Sequence, residues 1–260
     1  MTKQLPGNLY DYPRYYDLVF GSDWCAEFHF LQGCFERYAE GPVRRVFEPA
    51  CGTGRLLYRL AKAGYETSGL DLNPHAVDYC NRRLKRHRFP PSAVVGDMTD
   101  FRLRRKADAS FNTINSFRHL TEESQAEAHL RCMARALRRG GLYVLGLHLL
   151  PTTGTQIESE SWSARRGNLS VTTNLWIVRR DRQRREERFR MTYSIYTPTE
   201  IYRLVDEFIF RTYTARQFGE LLARVGEFDV VATHDFGYQI DRPIKIHADT
   251  EDVVYVLRRR

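Results

Sequence analysis

The sequence predicts an α/β fold built on a mostly parallel sheet, with an antiparallel unit inserted after the fifth strand. Three observations predict it. Residues 45–57 have the pattern of a strand, a glycine turn and the start of a helix. Short apolar strands and amphipathic helices then alternate to about residue 150, as in parallel sheets with crossover helices. Residues 169–195 instead alternate with a period of two, which is typical of antiparallel strands.

Length and composition predict an ordinary globular protein. The 260 residues suffice for one sizeable domain or a domain with an insertion, and 42% of them are hydrophobic. No apolar run approaches the roughly 18 residues of a membrane helix, and the N-terminus lacks the apolar core of a signal peptide. The five cysteines are scattered without C-x-x-C spacing. We therefore expect a cytoplasmic protein with neither a metal site nor a disulfide framework.

The net charge of +8 permits nucleic acid or acidic substrates as partners. Most basic clusters, however, mix arginine with acidic residues, as in residues 179–190. Solvated faces of helices and hairpins have the same composition. Nucleic acid is therefore a permitted partner but not the favoured one.

The glycine turn is the first candidate for a ligand site. A strand ends at Glu48, residues 49–54 are predicted to be irregular, and helical spacing begins at Arg55. Gly52 and Gly54 lack Cβ atoms, so a ligand can lie directly against their backbone. A turn of this kind suits a nucleotide-like ligand.

The residues of the turn disfavour a dinucleotide. A dinucleotide fingerprint has a third glycine where Leu57 stands, and Glu48 would repel a pyrophosphate. Glu-Pro-Ala-Cys-Gly-Thr-Gly resembles the first motif of class I S-adenosylmethionine-dependent methyltransferases. The resemblance implies that Glu48 serves the methionine end of the cofactor, with Ala50, Gly52 and Gly54 beside it. A nicotinamide oxidoreductase is the least favoured enzyme class.

Residues 8–20 carry four tyrosines ahead of the turn. Tyr15-Tyr16-Asp17 resembles the Tyr-Asp element that precedes the first motif in many small-molecule methyltransferases. The resemblance implies that residues 1–42 form an N-terminal helical cap or lid over the cofactor. Tyr16 would then face the sulfonium cation. The alternative is a simple amphipathic cover.

Two acids follow at strand ends. Asp71 closes the strand 65–72 about twenty residues after the turn, where an acid can accept both ribose hydroxyls, and Leu72 comes next. The alternative role of Asp71 is to cap the following helix. The resemblance implies that Asp97, after the next strand, accepts the adenine amino group while Met98 packs against the ring.

Residues 111–120 are predicted to form the fourth strand and its exit. They resemble the fourth motif of the family, with Asn115 and His119 at the ligand-binding carboxyl edge. Asn112 stands where the family often has Asp, at the start of this strand. Methyl transfer mainly requires alignment and exclusion of water, but an amine acceptor must lose a proton. His119 is the catalytic candidate; its alternative is a structural histidine bonded to the N-terminal tyrosines.

Three further residues are weaker candidates for the acceptor site. Core packing explains the aromatic rings of Tyr196, Tyr238 and His234, which could otherwise line the acceptor cavity. His148 lies in an apolar strand, and we expect it to be a core histidine.

Residues 151–213 are predicted to be an antiparallel β-insertion, with strands at 169–178, 189–195 and 207–213. It could roof the substrate site or form a homodimer surface. A helix at 214–226 and two strands at 229–233 and 252–257 match the closing antiparallel hairpin of the class I sheet. The resemblance thus implies a Rossmann-like, seven-stranded methyltransferase domain formed by residues 43–150 and 214–260.

The resemblance implies an S-adenosylmethionine-dependent methyltransferase that acts on a small molecule, at an amine nitrogen rather than an oxygen. An RNA or protein methyltransferase is an alternative that the charge supports, although no Asn-Pro-Pro-Tyr or Asn-Pro-Pro-Phe element is present. A non-catalytic partner protein that binds the cofactor is another alternative.

Overall fold

The computed structural model describes residues 2–21, 24–153 and 158–260. These residues form six α-helices: α1 Pro13–Phe20, α2 Trp24–Tyr38, α3 Leu57–Lys62, α4 Pro74–Arg86, α5 Glu123–Ala136 and α6 Ala215–Val225. Its strands are β1 Thr2–Gln4, β2 Arg45–Pro49, β3 Glu66–Asp71, β4 Ala93–Val95, β5 Ala107–Asn112, β6 Leu137–His148, β7 Ser159–Arg166, β8 Leu169–Asp181, β9 Glu186–Tyr196, β10 Ile201–Arg211, β11 Phe228–His234 and β12 Asp252–Arg259. Short 3-10 helices span Leu9–Asp11 and Ser116–His119.

A seven-stranded sheet has the order β11-β12-β6-β5-β2-β3-β4. Strand β12 is antiparallel to both of its neighbours, and the pairs from β6 to β4 are all parallel. The mostly parallel, Rossmann-like sheet and its closing antiparallel pair are therefore confirmed. The carboxyl ends of β2, β3 and β5 lie side by side, which is where open α/β sheets bind ligands.

The alternation of side chains along β12 shows how the sheet is covered on both faces. Val254 and Val256 pack in one core cluster with α2, whereas Val253, Tyr255 and Leu257 pack in another with α5 and α6. All five of these side chains are buried. Each such apolar side chain contributes about 1.5–3 kcal/mol relative to an exposed one. Strand β12 is thus buried on both faces, next to the edge strand β11.

A second sheet of five strands has the order β1-β10-β9-β8-β7. The predicted pairing of 169–178 with 189–195 is confirmed, since β8 and β9 are antiparallel. Two strands of this sheet, β1 and β7, were not predicted. Both are polar and largely exposed, so neither shows the apolar alternation that marks a half-buried strand. Residues 154–157 of the expected insertion lie outside the described residues, and the division into three units stays a prediction.

Several boundaries differ from the expected ones. Strand β5 begins at Ala107, four residues before 111, and within it Asp108 Oδ2 accepts the backbone N–H groups of Arg44 and Arg45 at 2.9 and 2.8 Å. Asn112 therefore ends this strand instead of starting it, and its Nδ2 donates to the Pro49 carbonyl at 2.9 Å. Strand β6 begins at Leu137, and helix α3 begins at Leu57, two residues later than expected.

Amphipathic spacing was the most reliable signal along the chain. The inward residues predicted for α4 are buried, namely Ala76, Val77, Cys80 and Leu84. Among the described residues, no helix combines the length and apolar character that crossing a membrane requires.

Candidate functional site

The turn after β2 buries an acid with an unsatisfied oxygen. Glu48 is 7% exposed, and its Oε2 has no hydrogen-bond partner among the described residues. Burial raises the pKa of Glu48 well above its ordinary value, and the nearby Arg55 guanidinium opposes that rise. Arg55 itself is held by Glu27, with Nη2 donating to Oε1 at 2.8 Å. A buried unpaired oxygen costs about 1–3 kcal/mol, so a donor from a ligand would be favourable here.

The two glycines of the turn face different surroundings. Both have left-handed backbones, with φ of +51° at Gly52 and +66° at Gly54. A Cβ at Gly54 would overlap Cys80 Sγ on α4, so this position is fixed by packing. At Gly52 the nearest atom would be on the Tyr16 ring, 3.6 Å away. A Cβ at Gly52 would be in van der Waals contact with Tyr16, so the Tyr16 ring lies close over the Gly52 backbone.

Asp71 ties the end of β3 to the glycine turn. Its Oδ2 accepts the Gly52 N–H at 2.7 Å, and its Oδ1 accepts the Asn73 N–H at 2.9 Å. Burial raises the pKa of Asp71, and the two backbone N–H donors oppose that rise. Asn73, not Asp71, caps α4 by accepting the N–H groups of His75 and Ala76. The helix-cap alternative for Asp71 is therefore wrong.

A cavity of about 530 Å³ opens beside the turn, and we call it the turn cavity. Its walls include most of the residues predicted to bind a cofactor: Tyr16, Ala50, Gly52, Asp71, Leu72 and Met98. Tyr10, Asn73, Ser116 and His119 also line it.

Four predicted residues lie outside the lining of the turn cavity, namely Glu48, Gly54, Asp97 and Asn115. Asp97 is exposed, and its Oδ1 accepts the backbone N–H and the hydroxyl of Thr99 at 2.7 and 2.8 Å. Glu48 is electrostatically coupled to Tyr16 and Asp71, which do line the cavity.

Met98 is held in place by a buried histidine. His129 Nδ1 lies 2.9 Å from the Met98 carbonyl, which can only accept, so Nδ1 carries the hydrogen. His129 Nε2, 2.8 Å from Tyr143 Oη, is then the acceptor of the phenol hydrogen. Burial lowers the pKa of His129 to about 4, so this neutral tautomer persists at neutral pH.

A second cavity of about 220 Å³ lies beneath the inner face of the five-stranded sheet, and we call it the sheet cavity. Its aromatic and apolar walls include Phe20, Trp162, Leu175, Ile177, Phe189, Met191, Tyr193, Phe208 and Phe210. Four residues line both cavities: Tyr10, Tyr16, Ser116 and His119. These four residues form a shared wall between the glycine turn and the second sheet.

His119 lies in this shared wall. Its Nε2 is 3.0 Å from Tyr10 Oη, and its ring contacts Phe208 and Phe210 at centroid distances of 5.8 and 4.6 Å. Burial lowers the pKa of His119 to about 4, and the Arg118 guanidinium adds to the effect. The imidazole is therefore neutral near pH 7. It occupies the predicted edge of the sheet and also bonds an N-terminal tyrosine.

Asn115 directs the exit of β5. It adopts a left-handed backbone with φ of +51°, and its Oδ1 accepts the His148 N–H at 2.8 Å. We had expected His148 to be a core residue, but it is half-buried, its Nδ1 contacts the Asp252 carboxylate, and it lines the sheet cavity. Asn115 lines the sheet cavity and not the turn cavity.

An open groove of about 1210 Å³ extends outward from the sheet cavity, and we call it the outer groove. Its lining includes Trp24, Arg59, Trp162, Arg166, Phe236 and Tyr238. Tyr238 thus faces a cavity, whereas His234 is fully buried and bonds the Gln239 carbonyl at 3.1 Å. Tyr196 is 43% exposed and lines neither cavity nor the groove.

Sequence reasoning missed most of the sheet cavity. Glu187, Phe189 and Met191 share one face of β9, and Asp206, Phe208 and Phe210 share one face of β10. The available signal in the sequence was an acid on the otherwise apolar face of a strand with period-two alternation, as at Glu187 and Asp206. Within the described ranges, no cluster of three or more His, Cys, Asp or Glu residues could hold a metal ion.

Comparison with known proteins is consistent with this geometry. Residues 46–141 match the model of a family described as a methyltransferase domain. The chain is 30% identical over 148 residues to dTDP-3-amino-3,4,6-trideoxy-alpha-D-glucopyranose N,N-dimethyltransferase of Streptomyces venezuelae, covering 55% of this chain and 60% of that protein. It is 28% identical over 162 residues to dTDP-3-amino-3,6-dideoxy-alpha-D-glucopyranose N,N-dimethyltransferase of Streptomyces fradiae, covering 60% and 61%. The matches thus span about three fifths of these relatives' lengths.

Solved structures show the same fold over nearly the whole chain. Streptomyces venezuelae DesVI superposes with a TM-score of 0.77 at 20% identity, covering 96% of this chain and 99% of that one. An S-adenosylmethionine-dependent methyltransferase from Clostridium acetobutylicum has a TM-score of 0.77 at 16% identity, covering 95% and 97%. At these identities the likeness shows the fold alone. Residues 46–141 thus match a methyltransferase domain, and the chain has the fold of S-adenosylmethionine-dependent methyltransferases over nearly its whole length.

Proposed function

We propose that the protein transfers a methyl group from S-adenosylmethionine to an amine nitrogen of a small molecule, with an amino sugar as the acceptor class. The observation that carries this proposal is the shared wall of Tyr10, Tyr16, Ser116 and His119. It places a nucleotide-type turn on one side and a small aromatic cavity on the other. A donor and an acceptor bound in the two cavities would meet there, and alignment is the main requirement of methyl transfer.

The residues of the turn fit S-adenosylmethionine. The unsatisfied Glu48 Oε2 would accept a hydrogen bond from the ammonium group of the methionine end. Gly52 lines the turn cavity without a Cβ, so a ligand there could lie against its backbone, and Asp71 has lone pairs left for ribose hydroxyls. When bound, the cofactor supplies an electrophilic methyl group on a sulfonium.

The other predicted cofactor contacts form part of the same proposal. Leu72 and Met98 would flank the adenine ring, with Asp97 on its amino group. The Tyr16 ring would face the sulfonium cation. Ala50, Gly54 and Asn115 would shape the path of the cofactor, Gly54 through its packing on α4.

Residues of this chain would position the acceptor and exclude water. The aromatic walls of the sheet cavity leave little room for solvent around the acceptor. A neutral His119 can accept a hydrogen bond from the acceptor amine directly. It can also hold the amine through Tyr10, because the Tyr10 hydroxyl is already hydrogen-bonded to His119. The restricted volume of this cavity favours a small acceptor over RNA or a protein substrate.

The amino-sugar class is supported by the relatives. Two curated relatives are named as N,N-dimethyltransferases of dTDP-linked amino sugars. Similar folds include structures titled as the sugar N-methyltransferase KedS8 and the amino pentose methyltransferase CalS10. The outer groove, with its indole rings and arginines, is suited to the larger remainder of such a molecule. A cytoplasmic location and a homodimer stay predictions.

A labelled transfer reaction tests this proposal. The protein would be incubated with S-adenosylmethionine carrying a deuterated methyl group and with dTDP-3-amino-3,4,6-trideoxy-α-D-glucopyranose or other amino sugars. We expect mass spectrometry to detect the labelled methyl group on the amino sugar and not on its 3-hydroxy counterpart. Transfer to the hydroxyl compound alone, or to no amine in the panel, would contradict the proposal.

A further inference from the structure

One acid projects into the sheet cavity from β10. Along this strand Leu204, Asp206, Phe208 and Phe210 share the inner face, and Asp206 stands opposite Met191 of β9. The surrounding wall is apolar and aromatic. A carboxylate is costly in such surroundings unless it has a partner.

A comparison with a neighbouring acid shows that Asp206 lacks a cationic partner. Glu187 also lines the sheet cavity, but Arg118 Nη2 and Arg180 Nε donate to its two oxygens at 2.5 and 2.6 Å. Within the described residues, Asp206 forms no ion pair with Lys, Arg or His. The Leu9 N–H lies 3.5 Å from its Oδ2, beyond the usual range for such a bond, and the backbone N–H of Glu207 is a second neutral donor to the carboxylate.

The titratable groups that face Asp206 are not cations. They are Tyr10 and Asp11 of the N-terminal 3-10 helix and Tyr193 of β9. Burial raises the pKa of Asp206, the Leu9 N–H opposes that rise, and Asp11 adds to it. Tyr10 also bonds His119, so Asp206 lies next to the shared wall.

We propose that Asp206 binds the amino group of the acceptor and takes up the proton that the ammonium must lose before it can be methylated. This inference rests on the proposed function. In the step, one N–H bond of the ammonium breaks and one O–H bond forms on the Asp206 carboxylate. The electron pair of the broken bond stays on nitrogen as the lone pair that attacks the methyl group. No other reactant is needed.

The surroundings favour this transfer. In a poorly solvated cavity the neutral pair, an amine and a carboxylic acid, is favoured over the ion pair, because burial disfavours both charged forms. His119, whose pKa is lowered to about 4 by burial, is neutral near pH 7 and is left to orient the amine.

The chain offers a matched control for a test by substitution. Asp206→Asn removes the charge with little change in shape and keeps an oxygen for the Leu9 N–H. Glu207→Gln makes the same change in charge at the next residue, on the outer face, where Glu207 Oε1 accepts from Arg190 at 2.7 Å. Asp206→Glu restores a carboxylate at the tested position.

The probe is dTDP-3-amino-3,4,6-trideoxy-α-D-glucopyranose, with kcat/KM measured at about pH 7 and about pH 9.5, where an amine with a pKa of about 8, the value of an α-amino group, is largely neutral in solution. We expect Asp206→Asn to lower kcat/KM about 10- to 100-fold near pH 7, the range of a lost charge-assisted hydrogen bond. Near pH 9.5 the loss should shrink to a few-fold, because the amine arrives without its extra proton. Asp206→Glu should keep much of the activity near pH 7, and Glu207→Gln all of it.

Calorimetry with S-adenosylhomocysteine present gives a second readout. Asp206→Asn should weaken binding of the amino sugar about tenfold and leave its 3-hydroxy counterpart unchanged. An Asp206→Asn rate equal to that of Glu207→Gln near pH 7, or an equal loss at both pH values, would overturn the role of Asp206 alone. A wild-type protein inactive on every amine would overturn the proposed function, and this inference with it.

Discussion

The phenol of Tyr10 and the imidazole of His119 are joined by a hydrogen bond of 3.0 Å in the wall between the turn cavity and the sheet cavity. Tyr10 comes from the 3-10 helix Leu9–Asp11, which Asn8 caps through the Tyr10 N–H. A second link holds the same helix to the core, because Asn73 Nδ2 donates to Asp11 at 3.2 Å. The N-terminal segment is thus attached on both sides of the glycine-turn site.

Removal of the Tyr10 hydroxyl tests whether this bond matters for activity. We expect Tyr10→Phe to lower kcat/KM about 2- to 10-fold, since a typical net hydrogen bond contributes about 0.5–1.5 kcal/mol. Tyr12→Phe is the matched control, because the Tyr12 hydroxyl donates to the Pro6 carbonyl at 2.8 Å and lines neither cavity. Equal rates for the two variants in the labelled transfer assay would show that the Tyr10–His119 bond has no functional role.

Substitution of Gly54 tests why the turn needs glycine there. Gly54→Ala should destabilise the protein by about 1–3 kcal/mol for two reasons. The added Cβ would overlap Cys80, and alanine is strained in the left-handed backbone conformation of this position. Gly64→Ala isolates the strain, since Gly64 has φ of +95° and no atom within 4 Å of an added Cβ. Chemical denaturation of both variants compares them.

The double variant Gly54→Ala, Cys80→Ala removes the overlap but not the strain. The free energy of unfolding should then fall, from the Cys80→Ala variant to the double variant, by no more than it falls on Gly64→Ala. A Gly54→Ala variant as stable as Gly64→Ala would refute the packing explanation.

Acid should destabilise the protein through its buried histidines. The pKa of His129 is lowered from 6.5 to about 4 in the folded state, so between these values the unfolded chain binds a proton that the folded chain does not. Stability is therefore fully present above about pH 6.5 and falls as the pH drops towards 4. His119 acts in the same window. Carboxyl groups whose pKa values are lowered in the folded state, such as Asp108, reduce stability only at a pH below this window.

Urea unfolding between about pH 7 and pH 4.5 measures this effect. We expect a steady fall in the unfolding free energy for the wild type and a shallower fall for His129→Gln. That variant should also weaken S-adenosylmethionine binding, because His129 positions the Met98 carbonyl. A wild-type stability that is flat over this window would contradict the buried neutral tautomer.

The glycine turn and the acid at the end of β3 could be predicted from the sequence because their signals are local. The turn needs residues that tolerate left-handed backbone, and Asp71 follows at the spacing that parallel strands impose. The buried faces of α4 and α6 were also predictable, since a period near 3.6 shows in a short window.

The sheet cavity could not be assembled from the sequence in this way. Its walls come from β8, β9 and β10, which meet only through strand pairing. Strand β7 is exposed and polar, so burial left no pattern in its sequence. His148 was misplaced because an apolar strand does not reveal that its last residue reaches the ligand-binding edge. Register and depth of burial, which decide these positions, are properties of the folded sheet.

Thermal unfolding with added nucleotides tests the central claim most directly. S-adenosylmethionine and S-adenosylhomocysteine at about a hundredfold excess over Kd should each stabilise the wild type by about 2.7 kcal/mol, a rise of several degrees in Tm, and NADH should not. Asp71→Ala should lose most of this rise, whereas Asp78→Ala, which removes an exposed acid on α4, should keep it. No rise with either sulfur nucleotide, or an equal rise in the Asp71→Ala variant, would contradict the assignment of this turn as the cofactor site.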